Sequence, residues 1–206
     1  RYLGSGAIRG IGAALAARIV RKFGDDTLRI VEEEPERLAE VKGISEKKAR
    51  EIAAQVSEKA EMRKVMIFLQ KYGISLNLGA KIYQKYKESV YTILQENPYR
   101  LAEDISGVGF KIADEIAARV GIHADSDYRI RSGMLYTLLQ ASGEGHTYLP
   151  REQLFTGCAR LLGVDESYME KHLMDMVIDR KLVLKEKSGE TIVYPAQYYY
   201  LELNTA

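Results

Sequence analysis

The sequence contains one cysteine and no long apolar run, and both facts exclude whole classes of protein. Cys158 stands alone among 206 residues, which excludes a disulfide framework and a metal site built from thiolates. No stretch is long and apolar enough to span a membrane, and no secretory signal is visible near the N-terminus. We therefore expect a cytoplasmic protein without a membrane partner.

Patterns that carry catalysis are also missing. No Gly-x-x-x-x-Gly-Lys-Ser/Thr phosphate loop occurs, so we expect this chain neither to bind nor to hydrolyse ATP. His123, His146 and His172 lie far apart and lack the spacing of metal ligands. The polar stretch 123–127 is better suited to capping a helix than to holding a metal. We predict no catalytic residue, no metal site and no cofactor in this chain.

The net charge of +1 conceals an uneven distribution. Residues 1–123 hold 21 lysines and arginines against 17 aspartates and glutamates, whereas the remaining 83 residues hold 9 against 12. A basic first part favours contact with a polyanion. An ordinary solvated surface explains the same charge equally well.

Residues 1–123 contain a tandem duplication. Glu33–Glu40 recurs as Glu96–Glu103 at an offset of 63 residues, and after one inserted residue Val41–Ser45 matches Ile105–Gly109. Each copy carries two glycine turns. They are Gly10-Ile11-Gly12 (turn 1), Gly43-Ile44-Ser45 (turn 2), Gly73-Ile74-Ser75 (turn 3) and Gly107-Val108-Gly109 (turn 4).

Apolar residues at helical spacing predict helices on both sides of each turn. The predicted helices include Ala13–Lys22, Glu46–Val56 with Ser45 as its cap, and Lys59–Tyr72. Pro35 and Pro98 each interrupt a helical pattern and precede a short helix.

The backbone of these turns is suited to binding an anion. Gly107 and Gly109 lack a Cβ and can adopt positive φ, so the chain can turn sharply. The amides that open the next helix have no intrahelical acceptor, and Lys111 adds a full charge beside them. Such a turn can equally serve only to join two packed helices.

The chain changes character after Gly121. The patterns there predict helices at Tyr128–Ala141, Pro150–Leu162 and Asp165–Arg180, a short strand at His146–Leu149, and a hairpin of Lys181–Glu186 with Glu190–Tyr194. This order is that of a winged-helix module. Its third helix is too acidic for a DNA-recognition helix, so we expect the module to pack or to contact protein. Cys158 is expected to be buried, and Tyr198–Tyr200 to form a strand or a lead into another domain rather than to stack on bases.

The pattern apolar-x-Gly-apolar-Gly/Ser with a basic helix start resembles the helix-hairpin-helix (HhH) motif. In that family two motifs form an (HhH)2 unit, and hairpin amides with a nearby lysine or arginine bind phosphates of DNA without reading sequence. The resemblance implies DNA-binding roles for Gly10, Ile11, Gly12, Lys42, Gly43, Ile44, Ser45, Lys47, Lys48, Gly107, Val108, Gly109 and Lys111. Turn 3 departs most, because Leu76–Leu78 offers no basic side chain, and we expect it to be structural.

The order of the parts resembles the N-terminal region of the RecD-like family of ATP-dependent DNA helicases. The resemblance covers nearly the whole chain, and its most distinctive segments are Arg100–Asp114 and Gly143–Pro150. It implies work in DNA repair and recombination. It also implies a following superfamily 1 motor that uses ATP and Mg and moves 5′ to 3′. The chain opens on Arg1 rather than methionine, and we expect it to be a fragment of such a protein.

We predict a mainly α fold, with tandem (HhH)2 units followed by a small winged-helix-like α+β module. The predicted domains are 1–62, 63–123 and 124–206. The predicted function is that of a non-catalytic N-terminal region of a RecD-like helicase, similar to the exodeoxyribonuclease V α-subunit. It would hold single-stranded or forked DNA by its backbone and have its own motor as partner. The alternative is a scaffold that packs on the motor with little DNA contact, which the near-neutral charge favours. A glycosylase or nuclease would need a catalytic set that we do not find.

Overall fold

The computed structural model describes residues 2–205, and the side chains of residues 2–200. The chain forms two compact units that divide between Lys71 and Tyr72. The prediction of a mainly α fold with a small α+β module is confirmed: helices dominate, and one three-stranded sheet lies near the C-terminal end. Within residues 2–205, no helix combines the length and apolarity that a bilayer crossing requires.

The first unit is built from three α-helices around an apolar core. They are α1 (Ala13–Phe23), α2 (Thr27–Glu33) and α3 (Glu46–Lys71), with 3₁₀ helices at Gly24–Asp26 and Pro35–Glu40. Ile19 of α1 and Ile52 of α3 are almost completely buried in this core. The helix expected before turn 1 is not formed, and residues 2–10 are consecutive turns. Gly6 lies there with a φ of +84°, which is incompatible with a right-handed helix.

Helix α3 corrects the sequence prediction at its centre. We predicted two helices, Glu46–Val56 and Lys59–Tyr72, whereas the structure has one continuous helix from Glu46 to Lys71. No glycine or proline occurs between residues 46 and 71, so no residue there favours an end to the helix. The predicted domain boundary at 62/63 falls inside this helix.

The first part of the second unit repeats the pattern of the first unit. Its helices are α4 (Leu76–Tyr86), α5 (Val90–Glu96), α6 (Arg100–Asp104) and α7 (Phe110–Val120), with a 3₁₀ helix at Lys87–Ser89. Residues that the duplication aligns have the same burial. Ile19 and Ile82 are both 0% exposed, and so are Leu38 and Leu101. The duplication found in the sequence is therefore a duplication of the core.

The C-terminal module combines helices with an antiparallel sheet of order β1-β3-β2. Its elements are α8 (Asp127–Gly143), β1 (Leu149–Pro150), α9 (Arg151–Leu162), α10 (Met169–Ile178), β2 (Leu182–Lys187), β3 (Glu190–Pro195) and α11 (Ala196–Thr205), with a 3₁₀ helix at Glu166–Tyr168. In the sheet, Val193 of β3 lies opposite Leu149 on one side and Leu184 on the other. Of the two alternatives predicted for Tyr198–Tyr200, a strand or a lead into another domain, the strand is wrong. These residues lie on α11, where the Tyr199 ring packs 5.6 Å from that of Tyr194.

Close packing between α8 and α9 forms the core of this module. A Cβ on Gly133 would lie 2.8 Å from the Cδ atoms of Leu162, so a larger residue would force the Leu162 side chain to shift. Cys158 of α9 is completely buried, as predicted. Burial raises the pKa of its thiol to about 12, which makes it a poor nucleophile.

A half-buried ion pair joins α7 to the C-terminal module. The Arg129 Nε donates to Asp114 Oδ1 at 2.9 Å, and Nη2 donates to Oδ2 at 3.2 Å. Tyr99 donates its hydroxyl to the same carboxylate at 2.5 Å, and burial together with this hydrogen bond raises the pKa of the Tyr99 phenol. Arg129 also donates to the carbonyls of Ala124 and Leu162 at 2.8 and 2.9 Å. This network holds the module against α7.

Candidate nucleic-acid interface

All four turns have the same backbone conformation at their first glycine. The φ angles are +90°, +98°, +75° and +91° at Gly10, Gly43, Gly73 and Gly107, in the left-handed region that disfavours other residues. The central residues are Ile11, Ile44, Ile74 and Val108, all no more than 5% exposed. Their side chains therefore belong to the core, and only the backbone of each turn is available to a ligand.

The last residue of each turn decides how the following helix begins. Ser45 accepts a hydrogen bond from the Lys48 amide at 3.1 Å, as its predicted capping role requires, and Ser75 accepts one from Leu78 at 3.3 Å. Gly12 and Gly109 offer no such side chain, and Gly109 is extended, with φ −95° and ψ −179°. Turns 1 and 4 thus leave the first amides of α1 and α7 without a side-chain acceptor.

Most of the predicted DNA-binding residues lie at the surface. Gly10, Gly12, Lys42, Gly43, Ser45, Lys47, Gly107, Gly109 and Lys111 are exposed, Lys48 is half-buried, and Ile11, Ile44 and Val108 are buried. None of these lysines makes an ion pair within the part of the chain that the structure describes. The first turns of α1, α4 and α7 carry no acidic residue, and that of α3 carries Glu46. These surfaces are therefore compatible with a polyanion.

Side chains of the first unit bring turns 1 and 2 into one surface. The Lys48 Cε lies 3.5 Å from the point where a Cβ on Gly10 would stand. From α1, the Arg18 guanidinium donates to the Lys42 carbonyl at 3.3 Å, and its Nη1 lies 3.2 Å from the Cβ position of Gly43. Each turn is thus contacted by a basic side chain of the other hairpin.

The second unit joins turns 3 and 4 in the same way. Arg119 of α7 donates to the Tyr72 carbonyl at 2.8 Å, and its Cζ lies 3.0 Å from the Cβ position of Gly73. From α4, the Lys81 Nζ lies 3.9 Å from the Cβ position of Gly107. Lys111 is exposed in the first turn of α7, next to turn 4.

Three basic residues at these turns escaped the sequence prediction. Arg18, Lys81 and Arg119 lie several residues along their helices, and each reaches a turn that is distant in sequence. The duplication contains a usable signal, because the offset of 63 residues places Lys81 on Arg18. Two basic residues at equivalent positions, both on the exposed side of their helices, could have been assigned to the same surface.

In the C-terminal module, the acidic residues of α10 pair within the module itself. Asp175 and Asp179 lie 3.1 and 3.7 Å from the Arg131 guanidinium, and Glu170 lies 2.6 Å from that of Arg151. Within residues 2–200, no three His, Cys, Asp or Glu side chains converge where they could hold a metal ion.

An apolar groove lies on the first unit, between α2 and α3. Its volume is about 680 Å³. Its lining combines the apolar Val31, Ala54, Ala60 and Ile67 with the charged Glu32, Arg63 and Lys64. Ile67 is 62% exposed, which is unusual for so apolar a side chain. An exposed apolar groove of this kind is typical of a surface that contacts protein.

Comparison with known proteins identifies relatives of this chain. A family model described as "ATP-dependent RecD2 DNA helicase HHH domain" matches residues 7–57 and 58–148. The ATP-dependent RecD2 DNA helicase of Deinococcus radiodurans is 26% identical over 151 residues, which are 73% of this chain and 21% of that helicase. The chain thus aligns with about a fifth of that relative's length.

Proposed function

Because this chain belongs to the family of ATP-dependent RecD2 DNA helicase HHH domains, we propose that its hairpin turns hold the DNA backbone for a helicase motor. The chain itself performs no catalysis in this proposal. ATP and Mg act in the motor of the parent protein, which works in the cytoplasm on DNA under repair or recombination. Residues 1–71 and 72–123 then act as two backbone-binding pairs, and residues 124–206 as one winged-helix-like module.

The basic surface around turns 1 and 2 carries this proposal. Arg18, Lys42, Lys47 and Lys48 lie beside two exposed turns, and they make no ion pair within the described residues. Phosphate groups suit this surface, because backbone amides and lysines bind phosphate oxygens without distinguishing bases. The contact is therefore independent of sequence and acts on single-stranded or forked DNA.

A binding titration over a range of salt concentrations tests the proposal. Fluorescently labelled single-stranded, duplex and forked oligonucleotides are titrated with the chain, and anisotropy gives the affinity. We expect log affinity to fall steeply with log salt, by a slope of about 0.9 for each phosphate contact on duplex DNA and about 0.7 on single strands. Lys47→Glu and Lys111→Glu should weaken binding at every salt concentration.

Lys64→Glu is the matched control, because Lys64 is an exposed lysine on the same helix as Lys47. It lies 17 residues further along α3, about 25 Å away at 1.5 Å per residue. It should leave affinity close to that of the unmodified chain. Weak binding that is flat with salt, and equal in all variants, would contradict a DNA role.

The apolar groove on the first unit favours a second candidate function, a scaffold that packs on the motor. In that case Ile67→Glu in the full-length helicase should lower its thermal stability or unwinding rate, while DNA affinity of this region stays negligible. Unchanged stability and unwinding in Ile67→Glu would remove this candidate.

A further inference from the structure

The four turns share a contact between segments that are distant in the sequence. At each first glycine, the nearest side chain beyond the turn is a cation from the helix that follows the other turn of the same unit. The pairs are Lys48 of α3 at turn 1, Arg18 of α1 at turn 2, Arg119 of α7 at turn 3 and Lys81 of α4 at turn 4. The atoms involved lie within 3.9 Å of the Cβ position in every case.

We propose that each turn takes its phosphate-binding cation from its sister hairpin, so that a DNA contact is complete only when two hairpins pack together. This inference rests on the proposed function, and it adds Arg18, Lys81 and Arg119 to the binding residues. It also brings turn 3, predicted to be structural, into the DNA contact.

Hydrogen bonds hold the two arginines in place and leave some of their N–H donors free. Arg18 donates to the Lys42 carbonyl and Arg119 to the Tyr72 carbonyl, which fixes each guanidinium beside a turn. A guanidinium has five N–H donors, so several remain for phosphate oxygens. Neither arginine makes an ion pair with an acidic side chain of the described chain, so the charge of each is not neutralised within it.

A comparison of the two copies supports a role for the charge itself. After the inserted residue, Lys48 and Gln55 of the first copy align with Ile112 and Arg119 of the second. The first copy has a cation only at the earlier position, and the second only at the later one. Each cation nevertheless reaches the first turn of its unit. Gln55 instead bonds the Arg9 backbone, accepting from its N–H at 2.8 Å and donating to its carbonyl at 3.2 Å.

Turn 3 shows the consequence most clearly. The start of α4, Leu76–Leu78, offers no basic side chain, and on sequence grounds the turn therefore lacks a partner for phosphate. Arg119 lies directly against Gly73 and is exposed to solvent. A phosphate that reached the exposed backbone of this turn would therefore meet a guanidinium from α7.

The inference is tested with Arg119→Gln and Lys81→Gln in the same salt titrations. Each should lower affinity for the forked oligonucleotide about fivefold and reduce the salt slope by about 1, because one phosphate contact is lost. Arg119→Lys keeps the charge and should restore the slope. Lys22→Gln is the control, since Lys22 is exposed ten residues beyond Gly12, about 15 Å along α1.

The outcomes separate the inference from the function on which it rests. If the unmodified chain shows no salt-dependent binding, the proposed function itself fails. If it binds, and Arg119→Gln and Lys81→Gln both match Lys22→Gln in affinity and slope, the inference is overturned. Circular dichroism and thermal unfolding check the fold of each variant. Should Arg119→Gln not fold, Lys81→Gln decides, because the Lys81 ammonium makes no hydrogen bond within the described chain that its loss would remove.

Discussion

The cations of the hairpin turns and those of the C-terminal module differ in what they contact. In the module, Arg131 and Arg151 pair with carboxylates of α10, and Arg129 pairs with Asp114 of α7. At the turns, the basic side chains make no ion pair within the described residues. These are Arg18, Lys42, Lys47, Lys48, Lys81, Lys111 and Arg119. Paired cations stabilise a fold, whereas cations left unpaired at exposed turns are available to a ligand.

Composition alone cannot reveal this difference. The net charge of +1 favours a scaffold over a DNA-binding region, because strong backbone binders usually carry a large basic excess. Many acidic residues, however, neutralise arginines elsewhere in the chain. The charge that matters to a ligand is the local charge at the turns.

The largest expected effect comes from breaking a pair in the module. Arg129→Met should lower the free energy of unfolding by about 3 kcal/mol, because it leaves the half-buried Asp114 carboxylate without its cation. Urea denaturation followed by circular dichroism measures it. Lys42→Met, which removes an exposed turn cation, should change stability by less than about 0.5 kcal/mol. Equal losses in both variants would abolish the distinction between the two groups of cations.

A smaller effect is expected from the backbone of a turn. Gly107→Ala places a Cβ at a φ of +91° and should cost about 1–2 kcal/mol of stability. It should also weaken DNA binding without removing any charge. Gly143→Ala is the control, since Gly143 ends α8 with open space around it and no positive φ. Thermal unfolding and anisotropy measure both variants, and an unchanged Gly107→Ala would show that the turn geometry is not required.

The smallest expected effect concerns pH and lies in the module alone. Burial is the largest cause that lowers the pKa of His172. The charges of Arg131 and Lys171 lower it further, whereas the Asp127 and Asp175 carboxylates raise it. Its Nδ1 is buried without a hydrogen-bond partner in the described structure. The unfolded chain therefore binds a proton more readily, and stability should decline as pH falls below about 6.5.

His172→Leu removes this titration and should flatten the pH dependence of the unfolding midpoint between about pH 7 and 5. Arg160→Leu changes an exposed cation of α9 that is not among the groups shifting the pKa of His172, so it keeps the histidine and should retain the decline. A decline of the same size in His172→Leu would assign it to other groups.

The sequence predicts the local structure well where a single residue decides it. Ser45 at its cap, the positive φ of Gly107 and the burial of Cys158 follow from the chemistry of each residue and its neighbours. The sequence predicts the bounds of a helix less well where no residue marks its end. Helix propensity favours a continuous α3, because neither Ser57 nor Glu58 ends a helix, but the apolar pattern on which the prediction relied does not show this.

Contacts between distant segments set the limit of sequence reasoning for the candidate site. Lys47 and Lys111 could be proposed as site residues because they follow a turn directly. Arg119 was not, because it reaches turn 3 from 46 positions away in the chain. Only the packing of α7 against turn 3 reveals that contact, and the internal repeat gives no warning, since Gln55 occupies the equivalent position.

The inaccessible thiol of Cys158 makes this chain convenient for spectroscopy. Maleimide reagents attack thiolates, and a completely buried sulfur with a pKa near 12 presents almost none at neutral pH. One cysteine introduced beside any chosen turn would therefore take up a fluorophore at a single place in the native protein. The four turns could be labelled one at a time in otherwise unmodified chains, and the approach of an oligonucleotide followed at each.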